Sequence, residues 1–168
     1  MDRLATEGFA AYDPHTKGAL RFPSPATPDD TLDFSFSGLK TAVINHIHTT
    51  KQRMFPDEGD DAVLPDEIRA EIAAAFTTAV TEGIAKKLDM ALRTGAYRSV
   101  VMAGGVAANS HLRRAVGNVC GKHGVSFTVP PLSLCGDNGA MIAVCGYHLH
   151  RLGIHADTTL NAYANLEE

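Results

Sequence analysis

The sequence predicts an α/β protein with parallel strands, and three observations support this class. Two short runs rich in β-branched residues lie at 99–103 (SVVMA) and 125–130 (VSFTVP). Each run is followed by a glycine-containing loop and then by a segment with helical character. Strands and helices that alternate in this way are typical of parallel pairing through helical crossovers. The chain has 168 residues and is 45% apolar, which is enough for one domain with its own core.

The first thirty residues predict one helix and one connector. A short helix is expected from Asp2 to Ala11. Because it starts almost at Met1 with no strand before it, we expect the chain to begin within a larger fold. Segment 21–30 contains three prolines, which disfavour both a helix and a central strand. This segment is therefore expected to be an ordered loop or a crossing segment.

Residues 34–63 predict a strand, a helix and a loop in that order. The alternation of Phe and Ser at 34–37 predicts a short strand. A helix from Gly38 to about Gln52 should follow, and Ser37 is available as its N-cap. The acidic, turn-rich stretch 55–63 predicts a surface loop.

A long helix is predicted to begin at Pro65 and to end near Gly95. Proline suits the first helical position, and the acidic residues after it complement the helix dipole. Apolar residues recur at every fourth position, and such a stripe turns by about 40° per step around a helix of 3.6 residues per turn. The two ends should therefore contact different neighbours, unless Gly83 divides the helix. The stripe consists of Ile68, Ile72, Phe76, Val80, Ile84, Leu88 and Leu92.

The second half of the chain places two loops side by side. A helix from Asn109 to His123, the strand 125–130 and a helix at 139–152 follow in order, and the tail after His155 is expected to form loop and sheet edge. Parallel strands end at the same edge of a sheet, where α/β proteins bind ligands. We therefore expect Asn109 and Asp137 to lie on one wall of a shared cleft.

The loop after the first strand has two interpretations. Gly104 and Gly105 would let a ligand approach the backbone, and the helix that follows favours anions at its N-terminus, so an adenosine or a phosphate suits this loop. A turn that needs glycine only for its conformation is the alternative. Asn109 is either the N-cap of the helix or an amide that contacts a ribose or a base edge.

The loop after the second strand contains a candidate metal ligand. Asp137 precedes an apolar helix, so it could be an N-cap or a hard oxygen ligand, although one carboxylate is not a metal site. Cys135 in the same loop is expected to be an inert small residue. Lys40 opposes the dipole of its helix, which indicates either an anionic partner or a solvated side chain.

The eight histidines do not predict a local metal site. Two pairs have members two residues apart, and such residues face opposite sides of a helix. His111 and His123 are expected on helix surfaces. The pairs are His46 with His48 and His148 with His150.

Composition restricts the class of protein. The formal net charge is −4 and the 15 Lys and Arg residues are spread along the chain, so composition neither supports nor excludes an RNA partner. The three cysteines lack a CxxC spacing, which argues against a disulfide framework or a structural zinc site and favours reduced thiols. No apolar run approaches about 18 residues and the start does not resemble a signal peptide, so a cytoplasmic protein without membrane attachment is expected.

Three motifs together resemble one known family. FSFSGLKT at 34–41, VMAGGVAANSHLR at 101–113 and LCGDNGAMIA at 134–143 are similar, in order and spacing, to the C-terminal half of the TsaD family. These are the tRNA threonylcarbamoyladenosine transferases, formerly described as O-sialoglycoprotein endopeptidases. The resemblance implies the actin-like ATPase fold of the sugar kinases and Hsp70. Residues 1–168 would be its C-terminal lobe, an RNase H-like sheet truncated at its start with helices on both sides, and the N-terminal lobe would be absent.

The resemblance also implies a reaction and a set of site residues. The family transfers a threonylcarbamoyl group from threonylcarbamoyl-adenylate to an adenosine in the tRNA anticodon loop, together with sister subunits. Asn109 matches its substrate-binding Asn, and Gly104 and Gly105 match glycines beside the nucleotide. Asp137 matches a ligand of its divalent metal, iron or zinc, which would polarise the donor. No catalytic residue is assigned within this chain.

This sequence departs from the family pattern at several points. The HxxxH metal pair and the SGGHT phosphate loop have no match here, and Gly136 stands where Thr is common. We therefore expect the isolated chain to be inactive, to hold metal weakly and to self-associate through an open sheet edge. A metal-dependent O-sialoglycoprotein endopeptidase and a non-catalytic nucleotide-binding scaffold are the alternative functions.

Overall fold

A computed structural model describes residues 2–14, 16–28 and 30–161. Within these ranges the molecule is mostly helical, with one small parallel sheet, which confirms the predicted α/β class. The elements are α1 (Asp2–Gly8), α2 (Ser37–Met54), α3 (Asp66–Arg93), β1 (Ser99–Val101), α4 (Ser110–His123), β2 (Ser126–Thr128) and α5 (Gly139–Arg151). Single 3₁₀ turns lie at Gly59–Asp61, Gly105–Ala108 and Leu132–Leu134.

The sheet pairs β1 with β2 in parallel, as predicted. The register places Ser99 opposite Ser126, and Val101 opposite Thr128. Met102 N donates to Thr128 O at 3.0 Å, so the pairing extends slightly beyond the regular strands. Both strands are shorter than predicted, but both end on the same side, and this determines where the two loops emerge.

The first half of α3 packs against α1 through small residues. Ala70, Ala74 and Ala75 on α3 are buried, and Tyr12 packs with them. A Cβ atom at Gly8 would lie 2.1 Å from the backbone oxygen of Ala70, so the two helix backbones approach too closely for any other residue. This contact holds α1 against the centre of the molecule.

The second half of α3 packs against α4 and the sheet. Leu112, Val116 and Cys120 of α4 form a buried cluster, and Ile84 and Leu88 of α3 pack onto it. The remaining members are contributed by the strands and their flanks, namely Val100, Met102, Val125 and Phe127. The prediction that the two ends of the long helix contact different neighbours is confirmed. Burial raises the pKa of the Cys120 thiol, which keeps it protonated and unreactive.

Gly83 does not divide α3. A Cβ atom at this position would lie 2.9 Å from the ring of Pro25, which belongs to the proline-rich connector. Lys87, one turn further on, is 2% exposed, and its Nζ donates to Thr27 Oγ1 at 3.1 Å and to the Thr31 carbonyl. The connector is therefore an ordered loop, as predicted, and these contacts with α3 hold it in place.

The predicted strand at 34–37 is wrong. Phe34 makes a single antiparallel bridge with Ala26, and no ladder continues from it among the described residues. Pro25 accepts a hydrogen bond from Ser35 N at 2.8 Å but has no N–H to donate, and this limits the pairing. Ser37 is also not the N-cap, because α2 starts at Ser37 itself and Phe36 precedes it without a side-chain cap.

The other helix boundaries differ from the predictions by three residues or fewer. α1 ends at Gly8 rather than at Ala11, and the chain continues in turns, with Tyr12 N donating to Gly8 O at 2.8 Å. α3 starts at Asp66, because Pro65 has the extended ψ of an N-cap residue. Gly95 follows the end of α3 with a positive φ of 68°, in agreement with the predicted stop.

His111 and His123 lie in contacts between helices, so their prediction as surface residues is wrong. The His111 side chain is 14% exposed, its ring packs at a tilt of 44° with its centroid 4.8 Å from that of Phe9, and its Nε2 lies 3.0 Å from Thr6 Oγ1. His123 Nε2 lies 2.8 Å from Asp89 Oδ1 on α3. α4 therefore has polar contacts with α1 near its start and with α3 at its end.

The end of the described chain is irregular. Residues 154–161 contain no helix or strand, which agrees with the predicted loop, whereas residues 162–168 lie outside the described residues. Among the described helices, none combines the length and the apolar character that a membrane span requires.

Candidate functional site

The first site loop follows β1 and requires one glycine for its conformation. Gly104 has φ +82° and ψ 176°, a backbone region that is essentially restricted to glycine. Gly105 has no positive φ, and a Cβ atom there would meet nothing within 4 Å. A turn that needs glycine only for its conformation therefore explains Gly104 but not Gly105. Gly105 leaves open space beside the backbone, as a bound ligand would require.

Asn109 is the N-cap of α4, which is one of the two roles that the sequence predicted for it. Its Oδ1 accepts a hydrogen bond from Leu112 N at 2.8 Å. The Nδ2 group has no hydrogen-bond partner in the part of the chain that the structure describes. The side chain can therefore stabilise the helix through its oxygen and donate to a ligand through its nitrogen at the same time.

The second site loop follows β2 and leads into α5. Asn138, not Asp137, caps α5: its Oδ1 accepts from Met141 N at 3.1 Å and its Nδ2 donates to Gly136 O at 2.9 Å. The N-cap interpretation of Asp137 is therefore wrong. Asp137 is exposed, and within residues 2–14, 16–28 and 30–161 it has no hydrogen-bond or ion-pair partner.

Arg113 of α4 connects the two loops. Its Nε donates to the Ala107 carbonyl in the first loop. Its Nη2 donates to the Pro130 carbonyl at 2.9 Å and lies 3.0 Å from Cys135 Sγ, both in the second loop. Sequence reasoning missed this residue. The available signal was its position four residues after Asn109, which places both residues on one face of the helix.

Cys135 is part of this connection. It is 1% exposed, and its Sγ also lies 3.5 Å from the Pro131 carbonyl. A thiol enclosed by backbone and by one arginine is typical of a structural cysteine, in line with the prediction. Because Cys135 is two residues before Asp137, its contact with Arg113 limits where that carboxylate can lie.

The N-terminus of α4 is already occupied by a carboxylate of this chain. Asp2 Oδ1 accepts hydrogen bonds from both Ser110 N and Ser110 Oγ, each at 3.1 Å. An acidic group at this end of a helix is stabilised by the helix dipole. The sequence predicted an anion at this helix start, and the Asp2 carboxylate occupies part of that position. Sequence reasoning did not identify Asp2.

The described residues do not form a metal centre by themselves. No three His, Cys, Asp or Glu side chains among them lie together in a way that could hold a metal ion. Asp137 offers one hard oxygen ligand at the loop surface, and one ligand does not fix a divalent ion. Iron or zinc at Asp137 would need further ligands from outside the described residues.

Two other surface features lie outside the two loops. Lys40 is exposed on α2, and its side chain has no partner among the described residues, so its anionic partner remains a prediction. A cavity of about 650 Å³ lies between α1, the start of α3 and the turns after α1, and none of its lining residues belongs to either site loop.

α5 exposes an apolar surface directly after Asp137. No described residue of this helix is buried. Large exposed apolar surface is typical of contact sites in proteins. The apolar surface of α5 comprises Met141, Ile142, Val144, Tyr147 and Leu149, which are between 40% and 75% exposed.

Comparison with known proteins identifies the family to which these loops belong. The family model described as TsaD, tRNA N6-adenosine threonylcarbamoyltransferase, matches residues 1–144, including both site loops. The chain belongs to the TsaD family. This confirms the resemblance that the three sequence motifs indicated.

Bacterial relatives from the same family match nearly the whole chain. The tRNA N6-adenosine threonylcarbamoyltransferase of Staphylococcus carnosus (strain TM300) is 35% identical over 167 residues, which cover 99% of this chain and 43% of that protein. Proteins of the same name from Staphylococcus epidermidis (strain ATCC 12228 / FDA PCI 1200) and Staphylococcus aureus (strain JH9) are each 36% identical, over 99% of this chain and 44% of their own length. The chain thus spans less than half the length of these relatives.

Proposed function

We propose that this chain is the C-terminal part of a tRNA-modifying transferase. The donor is threonylcarbamoyl-adenylate and the acceptor is the N6 amine of an adenosine in a tRNA anticodon loop. The amine forms a bond to the carbamoyl carbon, the bond from that carbon to the phosphate oxygen breaks, AMP leaves, and N6 loses a proton. The observation that carries the proposal is the pair of family loops that Arg113 holds together.

The two loops have different roles in this proposal. Gly104 and Gly105 lie beside the adenine nucleotide, and Asn109 donates from Nδ2 to an oxygen of the nucleotide. Asp137 is one ligand of a divalent metal, iron or zinc, whose other ligands lie outside this chain. When bound, this metal would act as a Lewis acid on the donor. The free Nδ2 of Asn109 and the unpaired carboxylate of Asp137 support these roles.

The remaining parts of the proposal concern the complete protein. The chain forms the C-terminal lobe of an actin-like ATPase fold and works with tRNA and with sister subunits in the cytoplasm. The isolated chain is inactive, because it brings one metal ligand only, and it self-associates. The surface proposed for this contact is the exposed apolar surface of α5 rather than the open sheet edge expected from the sequence. The similarity to tRNA N6-adenosine threonylcarbamoyltransferases does not favour the endopeptidase alternative.

Asn109 allows the structural and the ligand roles to be separated. Asp is as good an N-cap as Asn, so Asn109→Asp retains the cap but replaces the donor by a negative charge. Asn109→Ala loses the cap as well, at a cost of about 1 kcal/mol. In the complete protein we expect both variants to bind ADP more weakly, by about 2- to 10-fold for the loss of a hydrogen bond between neutral groups, and by more in Asn109→Asp because it adds a negative charge beside the nucleotide.

Calorimetric titration with ADP and thermal unfolding measure the two effects. We expect Asn109→Asp to melt within a few degrees of wild type, whereas Asn109→Ala melts lower. Wild-type ADP affinity in Asn109→Asp would show that Asn109 is a helix cap only. Absence of transfer from threonylcarbamoyl-adenylate to tRNA by the complete wild-type protein would refute the proposed function itself.

A further inference from the structure

Arg113 is the residue through which α4 reaches both site loops. Its three acceptors are the Ala107 carbonyl in the first loop and the Pro130 carbonyl and Cys135 sulfur in the second. Ala107 and Cys135 are both buried, at 0% and 1% exposure, whereas Arg113 and Pro130 are half-buried, so these contacts are partly shielded from competing water. Hydrogen bonds from a charged donor in such surroundings are among the stronger ones in proteins.

The second loop depends on Arg113 for its hydrogen bonds to the rest of the fold. Its own bonds are local, such as Leu134 N to Pro131 O at 2.9 Å and Asn138 Nδ2 to Gly136 O. In the described ranges, no other hydrogen bond joins residues 130–138 to a distant part of the chain. Without Arg113, this loop would remain connected mainly through β2 and α5, and α5 itself has no buried residue.

The chemistry of arginine suits this arrangement. The guanidinium group is a planar fork that can donate to acceptors on two sides at once, whereas a lysine ammonium is a single point of donation on a flexible stem. No carboxylate in the described part of the chain forms an ion pair with Arg113. Its hydrogen bonds therefore go to the two loops and not to an acidic neighbour.

We infer that Arg113 is a positioning residue that holds the Asp137 loop in register with the Asn109 loop. This inference rests on the proposed function, in which the two loops act on one donor. Asn109 keeps its own cap when Arg113 is changed, but the Asp137 loop loses its long-range hydrogen bonds. The transfer step should therefore be affected more than nucleotide binding.

Arg113→Lys tests the inference in the complete protein, with Arg114→Lys as a matched control. Arg114 is the next residue of α4, is exposed and has no hydrogen-bond or ion-pair partner among the described residues. In Arg113→Lys we expect faster amide hydrogen exchange at 131–138 without substrate. We also expect kcat to fall by about 10- to 100-fold, the usual effect of losing a group that orients a ligand residue, with a smaller change in ADP affinity. Arg114→Lys should match wild type in all three measurements.

Two results would overturn the inference. One is exchange at 131–138 in Arg113→Lys that equals the Arg114→Lys control. The other is a loss of ADP affinity as large as the loss of kcat, because that outcome indicates general destabilisation. If Arg113→Lys does not fold, Arg113→Gln is measured in the same way and judged by the same results. A wild-type protein without transfer activity refutes the proposed function, whereas the exchange measurement still decides how the loop is held.

Discussion

Replacing Gly8 by alanine sets helix propensity against helix packing, and the two effects have opposite signs. Gly8 is the last residue of α1, where alanine would gain at most about 1 kcal/mol from propensity. In the folded protein, however, a Cβ atom at Gly8 would lie 2.1 Å from Ala70 O and 2.6 Å from Ala70 C. These are backbone atoms of α3, so no side-chain rotation can relieve the overlap.

The size of the expected loss follows from this geometry. α1 must move away from α3 by roughly 1 Å to restore van der Waals contact. That movement loosens the packing around Tyr12 and Ala74, and forced insertions into packed cores cost about 1–3 kcal/mol. We therefore expect Gly8→Ala to lower the free energy of unfolding, by up to about 2 kcal/mol after the full gain in propensity is subtracted.

Urea denaturation of the chain measures this difference, and Gly121→Ala is the matched control. Gly121 also lies in a helix, but it is exposed, and a Cβ atom there would meet nothing within 4 Å. Gly121→Ala should raise the free energy of unfolding by about 0.5–1 kcal/mol. Stabilisation of similar size in both variants would refute the close approach of α1 and α3.

Two further predictions concern the α3–α4 contact and α5. The hydrogen bond from His123, together with Arg93, lowers the pKa of Asp89 below its unfolded value. These interactions therefore stabilise the folded state above about pH 4, and the stabilisation is lost as the pH falls through the folded pKa. Asp89→Asn should flatten the acid side of the stability curve below about pH 4, and parallel curves for the two proteins would contradict this expectation. Ile142→Glu should abolish concentration-dependent self-association in light scattering, whereas Val63→Glu, which alters an equally exposed apolar residue (75%), should not. A wild-type chain that is strictly monomeric at high concentration would refute self-association through the apolar surface of α5.

Local pattern predicted most elements, because local forces decide them. The apolar stripe turns around α3 along its length, and this correctly predicted that the two ends of the helix contact different neighbours. The two β-branched runs correctly indicated a parallel pair of strands. The N-cap role of Asn109 could also be predicted, since capping depends on a side chain and an amide only three residues apart. The Phe–Ser alternation at 34–37 was misleading because a strand needs a partner, and Pro25 cannot donate to a ladder.

The site could be predicted in part. The two loops and their residues are visible as motifs, but the sequence offered Asp137 as either the cap of α5 or a metal ligand and did not indicate that Asn138, one residue along the chain, is the cap. Asp2 at the start of α4 and the burial of His111 were missed altogether. Asp2 and His111 belong to segments that are more than a hundred residues apart, so no local pattern could reveal that they lie together.

By itself, the sequence determined the class of fold, the order of the elements and the family, because periodicity, turn residues and motif spacing are properties of neighbouring residues. Only the tertiary structure decided that Gly8 must be glycine and that Arg113 joins the two loops. Each of these depends on distances between segments that are remote in the chain. Such distances are set by the packing of α1, α3 and α4 around a shared core.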